Sequence, residues 1–221
     1  MKPIAHIHTD FKTKFGIPRQ AGVVPDTEGV IVFLPAYRNP DALRGLDGFS
    51  HLWLLWEFSE AKRDEWSPTV RPPRLGGNVR MGVFATRSPF RPNPIGLSSV
   101  RLTRIDLADP RGPVLYVRGA DLLDGTPIYD IKPYLAYTDS HPDATEGFAG
   151  PVREDRLQVV FPDRLLSRLP EEKRKVAIAL LSEDPRPHYQ TDDARVYGMP
   201  FAGFDIRFTV KGDILTVTDV Q

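Results

Sequence analysis

The chain has 221 residues, 41% hydrophobic and 26% charged, which is enough to bury a core in one large domain or in a domain with a smaller one attached. Its 29 basic and 29 acidic residues cancel, which argues against a protein that coats nucleic acid without selectivity. The lack of cysteine excludes disulfides, thiol nucleophiles, iron–sulfur clusters and cysteine-ligated zinc. With no signal-peptide pattern and no apolar run of membrane-spanning length, we expect a cytoplasmic protein without a membrane partner.

Short strands dominate the first two thirds of the chain. Runs rich in β-branched and aromatic residues, bounded by glycine and proline, predict strands at 3–8, 29–34, 50–58, 80–85, 96–103 and 113–121. A short helix over 42–46 is expected after Asp41. The apolar run at 51–58 predicts a strand buried on both faces, with Trp53 and Trp56 in the core. Strands at this spacing are typical of a β-barrel or a β-sandwich.

The pattern changes after a predicted strand at 158–161. Apolar residues spaced among charges over 162–182 predict a helix that is broken near Pro170. Strands at 203–210 and 213–218 then predict a closing hairpin. We therefore expect a mainly β domain at 1–152 and a small α+β domain at 153–221.

A proline-rich loop between two predicted strands is the most informative segment of the chain. Within MGVFATRSPFRPNPIGLSSVRL, which begins at Met81, it carries three prolines and three polar side chains: Pro89, Pro92, Pro94, Arg87, Arg91 and Asn93. The prolines exclude a helix, and the polar groups suit an anion or a base edge. An ordinary exposed loop is the alternative. Residues 71–104 hold seven arginines and no acidic residue, which favours a phosphate-facing patch over a solvated basic face.

Other segments point to sites less directly. No glycine-rich motif of the Rossmann or P-loop kind is present, so a nucleotide-like cofactor would need a different site. His6 and His8 share a strand face, a spacing that some metal sites use, but no further ligands are apparent nearby. We interpret them as surface histidines and expect no metal. Metal-dependent hydrolysis through this pair stays as a remote alternative.

The segment at 121–134 combines three carboxylates, a lysine and two tyrosines. Its first part predicts a turn that could offer backbone groups to a ligand, formed by Asp124, Gly125, Thr126 and Pro127. Asp130, Lys132 and Tyr134 alternate, so in an extended chain they share a face and could handle a proton. A turn followed by an edge strand with a salt bridge is the equal alternative.

Six motifs, in the same order along the chain, resemble the tRNA-methyltransferase O family, also called the YaeB- or TsaA-like family. They are KFGIPRQAG at 14–22, RGLDGFSHLWLL at 44–55, TVRPPRLGGN at 69–78, GVFATRSPFRPNPIG at 82–96, DGTPIYDIKPY at 124–134 and DPRPHY at 184–189. The resemblance implies transfer of a methyl group from S-adenosylmethionine to N6 of threonylcarbamoyladenosine at position 37 of tRNA. It also implies a single-sheeted β-barrel, a small C-terminal domain and a homodimer.

Site residues follow from this resemblance and from the chemistry it implies. The expected cofactor site comprises Pro18, Arg19, Gln20, Ser59, Glu60, Arg87, Leu97 and the turn Asp124, Gly125, Thr126 and Pro127. Ser59 and Glu60 stand where the family often has His-Gln, which keeps a different RNA or small-molecule substrate open. A binding module without catalysis is a further alternative.

The reaction itself requires that a proton leave N6. We expect Asp130 or Tyr134 to accept this proton, with Lys132 tuning the site or binding the threonyl carboxylate. Asn93 and Arg91 are expected to hold the modified base. The backbone of the anticodon loop would contact Arg71, Arg74 and Arg80.

Overall fold

The computed structural model describes residues 1–61, 65–72, 75, 77–152, 156–186 and 192–221. Within these ranges the strands are β1 Ala5–Thr9, β2 Glu28–Phe33, β3 His51–Glu57, β4 Thr69–Val70, β5 Met81–Gly82, β6 Ile95–Asp106, β7 Val114–Arg118, β8 Thr126–Pro133, β9 Gln158–Val160, β10 Tyr197–Phe201, β11 Phe204–Lys211 and β12 Ile214–Val220. The α-helices there are α1 Ala136–Asp139, α2 Asp163–Leu166 and α3 Glu171–Ser182.

Six strands close into a barrel in the order β1-β2-β7-β6-β3-β8, and every neighbouring pair is antiparallel. Closure leaves none of these six strands with an unpaired edge. Alternate side chains point inward and form the core, which includes Ile7, Ile31, Leu115 and Ile128. The predicted β-barrel is therefore confirmed, and the sandwich alternative is excluded.

Strand β3 shows where the sequence pattern misled. Leu52, Leu54 and Trp56 face the barrel interior and are buried, as predicted for Trp56. Trp53 is only partly buried on the outer face, and its indole N–H donates to Asp139 of α1 at 2.8 Å. The prediction of a strand with two fully buried faces is wrong, because a short helix covers the outer face only in part.

Local elements differ from prediction where prolines and polar residues dominate. Of the strand predicted at 80–85, only Met81–Gly82 is a strand, and Val83–Ala85 is a 3₁₀ turn. The helix expected at 42–46 is replaced by 3₁₀ turns at Pro40–Leu43 and Leu46–Gly48. Strand β8 matches the alternative of a strand with a salt bridge after the turn, but it pairs with both β1 and β3 and is therefore not an edge strand. Strand β10 was not predicted, since it contains a proline that the propensity pattern reads as a break.

Chain contacts divide the protein into two compact units. One comprises Met1–Asp10, Arg19–Val70 and Met81–Asp143, and the other Phe11–Pro18, Arg71–Arg80 and Ala144–Gln221. The expected boundary between 152 and 153 adjoins residues outside the described ranges and stays a prediction.

The second unit contains a four-stranded sheet in the order β10-β11-β12-β9, with β9 parallel to β12. The helix break near Pro170 is confirmed between α2 and α3, and so is the closing hairpin of β11 and β12. Helix α3 buries Val176, Ala177, Leu180 and Leu181. Of the helices that the structure describes, none has the length and apolarity to cross a bilayer.

Candidate functional site

One end of the barrel gathers the residues predicted for cofactor binding. Because neighbouring strands are antiparallel, the last residues of β1, β3 and β7 and the first residues of β2, β6 and β8 lie at the same end. We call this end the mouth. It carries residues 19–27, 58–61, 83–94 and 119–125, which lie far apart in sequence. Ligand sites are commonly built from loops that a rigid scaffold holds together in this way.

Arg87 and Gln20 join two loops of the mouth. The Arg87 guanidinium Nη1 donates a hydrogen bond to the Gln20 side-chain oxygen. Arg19, next to Gln20, is exposed. Pro18 belongs to the other unit, so the barrel places two members of the expected Pro-Arg-Gln set. Arg87 and Gln20 place a planar guanidinium and a planar amide at the rim of the mouth, where their N–H groups could donate hydrogen bonds to a carboxylate.

The turn predicted at Asp124 is present and is fixed to the end of β1. The Thr126 N–H donates to the Leu123 carbonyl at 3.1 Å, and Gly125 adopts φ +78°, a conformation that favours glycine. Asp124 Oδ1 accepts a hydrogen bond from the Thr9 N–H at 3.0 Å and lies 3.4 Å from His8 Nδ1. A methyl group added at Gly125 would meet no atom within 4 Å, so the outer surface of the turn is open.

At the start of β6, large and small residues alternate between the two faces. Leu97 points outward and is 58% exposed, so its side chain is available for contact with an apolar ligand group. Gly96 points inward against Trp56: a Cβ at this position would lie 2.2 Å from the indole Cε2. The missing side chain of Gly96 therefore lets Trp56 fill the mouth end of the core.

Asp121 is a site residue that the sequence reasoning missed. Inside the mouth, the Trp56 indole N–H donates to Ser98 Oγ at 3.0 Å, and the Ser98 hydroxyl donates to Asp121 Oδ1 at 2.6 Å. Burial raises the pKa of Asp121. Hydrogen bonds from Ser98, its own backbone N–H and the Ala21 N–H lower the pKa, as does the charge of Arg87, but not enough to cancel that effect. The available signal was Ser98 at an inward position of β6.

Ser59 and Glu60 begin the 3₁₀ turn Ser59–Ala61 directly after β3, exposed at the mouth. The preceding Phe58 N–H donates to the Pro94 carbonyl at 2.8 Å, which ties this turn to the arginine loop. Asn93 is exposed in that loop. These three predicted residues are therefore brought to the same end of the barrel as Arg87.

The guanidinium of Arg91 forms hydrogen bonds within its own loop. Its Nη1 donates to the carbonyls of Val83 at 3.2 Å and Thr86 at 2.7 Å. Arg71 and Arg80 are exposed but belong to the other unit, and Arg74 lies outside the described residues. Arg91 lies in a loop of the mouth, within the unit that contains the barrel.

None of the three predicted proton-handling residues lies in the loops of the mouth. Asp130 and Lys132 share the outer face of β8, as predicted, and form an ion pair of 3.1 Å. Tyr134 lies beyond the far end of β8, where its ring packs against Trp53 at a centroid distance of 5.4 Å. The structure of a single chain thus separates Tyr134 from Asn93 by the length of the barrel.

Tyr129 is a second residue that the sequence reasoning passed over. It is the residue of β8 that the pairing with β3 skips, because Leu55 pairs with Asp130 and Trp56 with Ile128. Burial, followed by a hydrogen bond to the Glu57 carboxylate, raises the pKa of Tyr129 to about 12. Its phenol therefore stays protonated at neutral pH and is a poor candidate for a base.

The described residues contain no group of three or more histidine, aspartate and glutamate side chains placed to hold a metal ion. His6 and His8 both lie on the outer face of β1, as predicted, and His8 is turned toward Asp124. The pair has no further ligand among those residues.

Comparison with known proteins identifies the family. Residues 6–140 match the tRNA-methyltransferase O N-terminal domain, and residues 154–221 match the TrmO C-terminal domain. The Escherichia coli (strain K12) tRNA (adenine(37)-N6)-methyltransferase is 42% identical over 215 residues, 94% of this chain and 91% of the relative. The Eikenella corrodens tRNA (adenine(37)-N6)-methyltransferase is 47% identical over 174 residues, 78% of this chain and 97% of the relative.

A solved structure is similar over nearly the whole length. The crystal structure of TrmO from Pseudomonas aeruginosa superposes with a TM-score of 0.78 and 34% identity, covering 99% of this chain and 97% of that one. The family resemblance seen in the sequence motifs is confirmed by both comparisons. The chain belongs to the tRNA-methyltransferase O family.

Proposed function

We propose that this protein transfers a methyl group from S-adenosylmethionine to N6 of threonylcarbamoyladenosine at position 37 of tRNA. Membership of the family and the names of the two bacterial relatives support the reaction. The main structural support for the proposed cofactor site is that Gln20, Arg87 and the Asp124 turn lie around the same end of the barrel, although they are distant in sequence.

The groups at the mouth fit the chemistry of this cofactor. Arg87, with Arg19 and Gln20 beside it, offers donors to the amino-acid carboxylate. Leu97 offers apolar surface, and the open turn at Gly125 offers backbone groups to a ribose or an adenine. Ser59 and Glu60 complete the rim, and Pro18 stays in the proposed set on the resemblance alone. When bound, S-adenosylmethionine supplies an electrophilic methyl group with a neutral leaving thioether.

The protein has two tasks in this reaction, alignment and proton removal. Alignment of the reacting groups is worth several kcal/mol, about 7 or more in the best oriented systems. N6 of the substrate belongs to a urea-like linkage, so its lone pair is delocalised and it still carries a proton. We propose Asp130 as the acceptor of this proton, with Lys132 beside it, and Asn93 as the group that holds the base. Tyr134 is left out of the site of the same chain because of its position.

Recognition of tRNA is proposed to rest on the arginines. Arg71, Arg74 and Arg80 would contact phosphates of the anticodon loop, and Arg91 would contact the nucleotide beside the target. Homodimerisation and a cytoplasmic location remain predictions from the resemblance and the composition.

Ser59 and Glu60 favour one alternative, a methyltransferase that acts on another RNA base or on a small molecule, since the family often has His-Gln there. A binding module without catalysis would transfer no methyl group at all.

The experiment is a transfer assay with total tRNA from a strain that lacks this gene. The tRNA is incubated with the protein and S-adenosylmethionine that carries a deuterated methyl group, and the nucleosides are separated by mass spectrometry. We expect the label on threonylcarbamoyladenosine. A label on another nucleoside would support a different substrate, and no label would support the binding module.

A further inference from the structure

Two large aromatic side chains lie exposed side by side near the mouth. Phe84 is 73% exposed and Trp66 is 52% exposed. Their ring centroids are 6.1 Å apart, with an angle of 29° between the planes, so the rings are nearly parallel. Exposed neighbouring aromatics with parallel faces mark a surface that something else covers.

The chain holds this pair in place. Strands β4 and β5 pair through Thr69 and Gly82, and the Val83 N–H donates to the Pro68 carbonyl at 2.9 Å, which brings the two segments together. From the other side, Arg91 donates to the carbonyls of Val83, the first residue of the 3₁₀ turn that contains Phe84, and of Thr86, the residue after that turn. The rings are thus pre-organised, which lowers the entropic cost of covering them.

The charges around Trp66 and Phe84 indicate which kind of molecule would bind there. The Arg91 Cζ lies 5.9 Å from the centre of the Phe84 ring, within the range of a cation–π contact. Glu65 directly precedes Trp66, but residues 66–105 contain no aspartate or glutamate, and the loop after Phe84 contributes Arg87 and Arg91. Flat apolar faces among cations, with no anion in the segment, fit unpaired nucleotides better than a protein surface of mixed charge.

We propose that Trp66, Phe84 and Arg91 form a stacking platform for unpaired nucleotides of the tRNA anticodon loop. This inference rests on the proposed function, because it names the surface that receives the nucleotides next to the target. A duplex keeps its base faces stacked on one another, so the platform selects single-stranded RNA. The bases stack on the rings, and the guanidinium faces the nearby phosphates.

The test measures binding of two RNA probes, an anticodon-arm hairpin and a fully paired duplex of equal length. The variants are Trp66→Ala and Phe84→Ala, together with Phe84→Tyr, which keeps an aromatic ring at this position. The matched control is Tyr137→Ala, which removes an aromatic side chain that is 88% exposed in α1, next to the far end of β8. S-adenosylmethionine binding and the sedimentation coefficient are measured for every protein.

Each alanine variant at the platform should weaken hairpin binding about tenfold, since stacking on one ring contributes about that much per base. Phe84→Tyr and Tyr137→Ala should bind the hairpin like the wild type, and none of the variants should change duplex binding, cofactor binding or sedimentation.

Hairpin affinity within about twofold of the wild type for both alanine variants would overturn the platform. A change in sedimentation would also overturn it, because the rings would then face another protein chain. If the wild type binds the hairpin through the platform but transfers no methyl group, the proposed function fails and the platform stands.

Discussion

At the scale of single residues, the mouth depends on a few side chains that link one loop to another. Arg87 reaches Gln20 across two loops, and Asp121 accepts hydrogen bonds from β6 and from the loop of Ala21. Such contacts place ligand-binding groups at fixed positions before the ligand arrives.

Arg87→Ala should weaken S-adenosylmethionine binding about tenfold or more, because it removes charge-assisted donors to the proposed carboxylate. Isothermal titration calorimetry measures this change. Arg44→Ala is the matched control, since Arg44 is an exposed arginine paired with Asp41 in the connection between β2 and β3 at the other end of the barrel. Equal losses in both variants would remove Arg87 from the cofactor site.

Asp121→Asn should show a stability effect that depends on pH. Since the folded-state pKa of Asp121 is raised above 3.8, its stabilising contribution is complete below that value and is lost as the pH rises through the folded-state pKa. Asparagine does not ionise. The free energy of unfolding of the variant, relative to the wild type, should therefore increase from acidic to neutral pH. Urea unfolding of both proteins, once at acidic and once at neutral pH, measures these free energies. If the difference between variant and wild type is the same at both pH values, the raised pKa of Asp121 is contradicted.

At the scale of elements, packing between β3 and β6 sets the shape of the mouth. Gly96 faces Trp56 so closely that no side chain fits between the two strands without displacing the indole. The indole also donates to Ser98, so its displacement would break the connection to Asp121.

Gly96→Ala should lower the free energy of unfolding by about 1–3 kcal/mol, the usual cost of overpacking a core. Gly82→Ala is the matched control, because Gly82 has φ −56° and an added methyl group there would meet nothing within 4 Å. Chemical denaturation of both variants and of the wild type measures the change in the free energy of unfolding. Equal stability of the two would show that Trp56 moves aside without cost.

The elements also show how far sequence reasoning reaches. Strands β3 and β6 were predicted because they are rich in aromatic and β-branched residues. Strand β8 was expected only as one of two alternatives, and only at an edge, since Pro127, Asp130 and Lys132 disfavour a strand. Pairing with β1 and β3 overrides that preference. The link from Ser98 to Asp121 was out of reach because it depends on how β6 extends past the end of β7.

At the scale of the whole molecule, a chain without net charge is proposed to bind a polyanionic partner. Because the net charge is zero, the proposed affinity for tRNA would come from the local arginines and not from the overall field. Each contact between an arginine and a phosphate should then add to the slope of log affinity against log salt concentration.

Arg71→Ala should reduce the slope of log affinity against log salt concentration by about 1, if Arg71 contacts a phosphate. Binding of tRNA at several salt concentrations measures the slope. Arg164→Ala, which removes an exposed arginine from α2, is the control and should leave the slope unchanged. An unchanged slope for Arg71→Ala would take this residue out of the interface.

The most direct test of the central claim is a crystal structure of the protein with S-adenosylhomocysteine, the product left after methyl transfer. We predict density at the mouth, with the amino-acid carboxylate against Arg87, the ligand alongside Leu97, and the nucleoside against the turn at Gly125. Density lodged at another place, out of contact with both Arg87 and this turn, would contradict it.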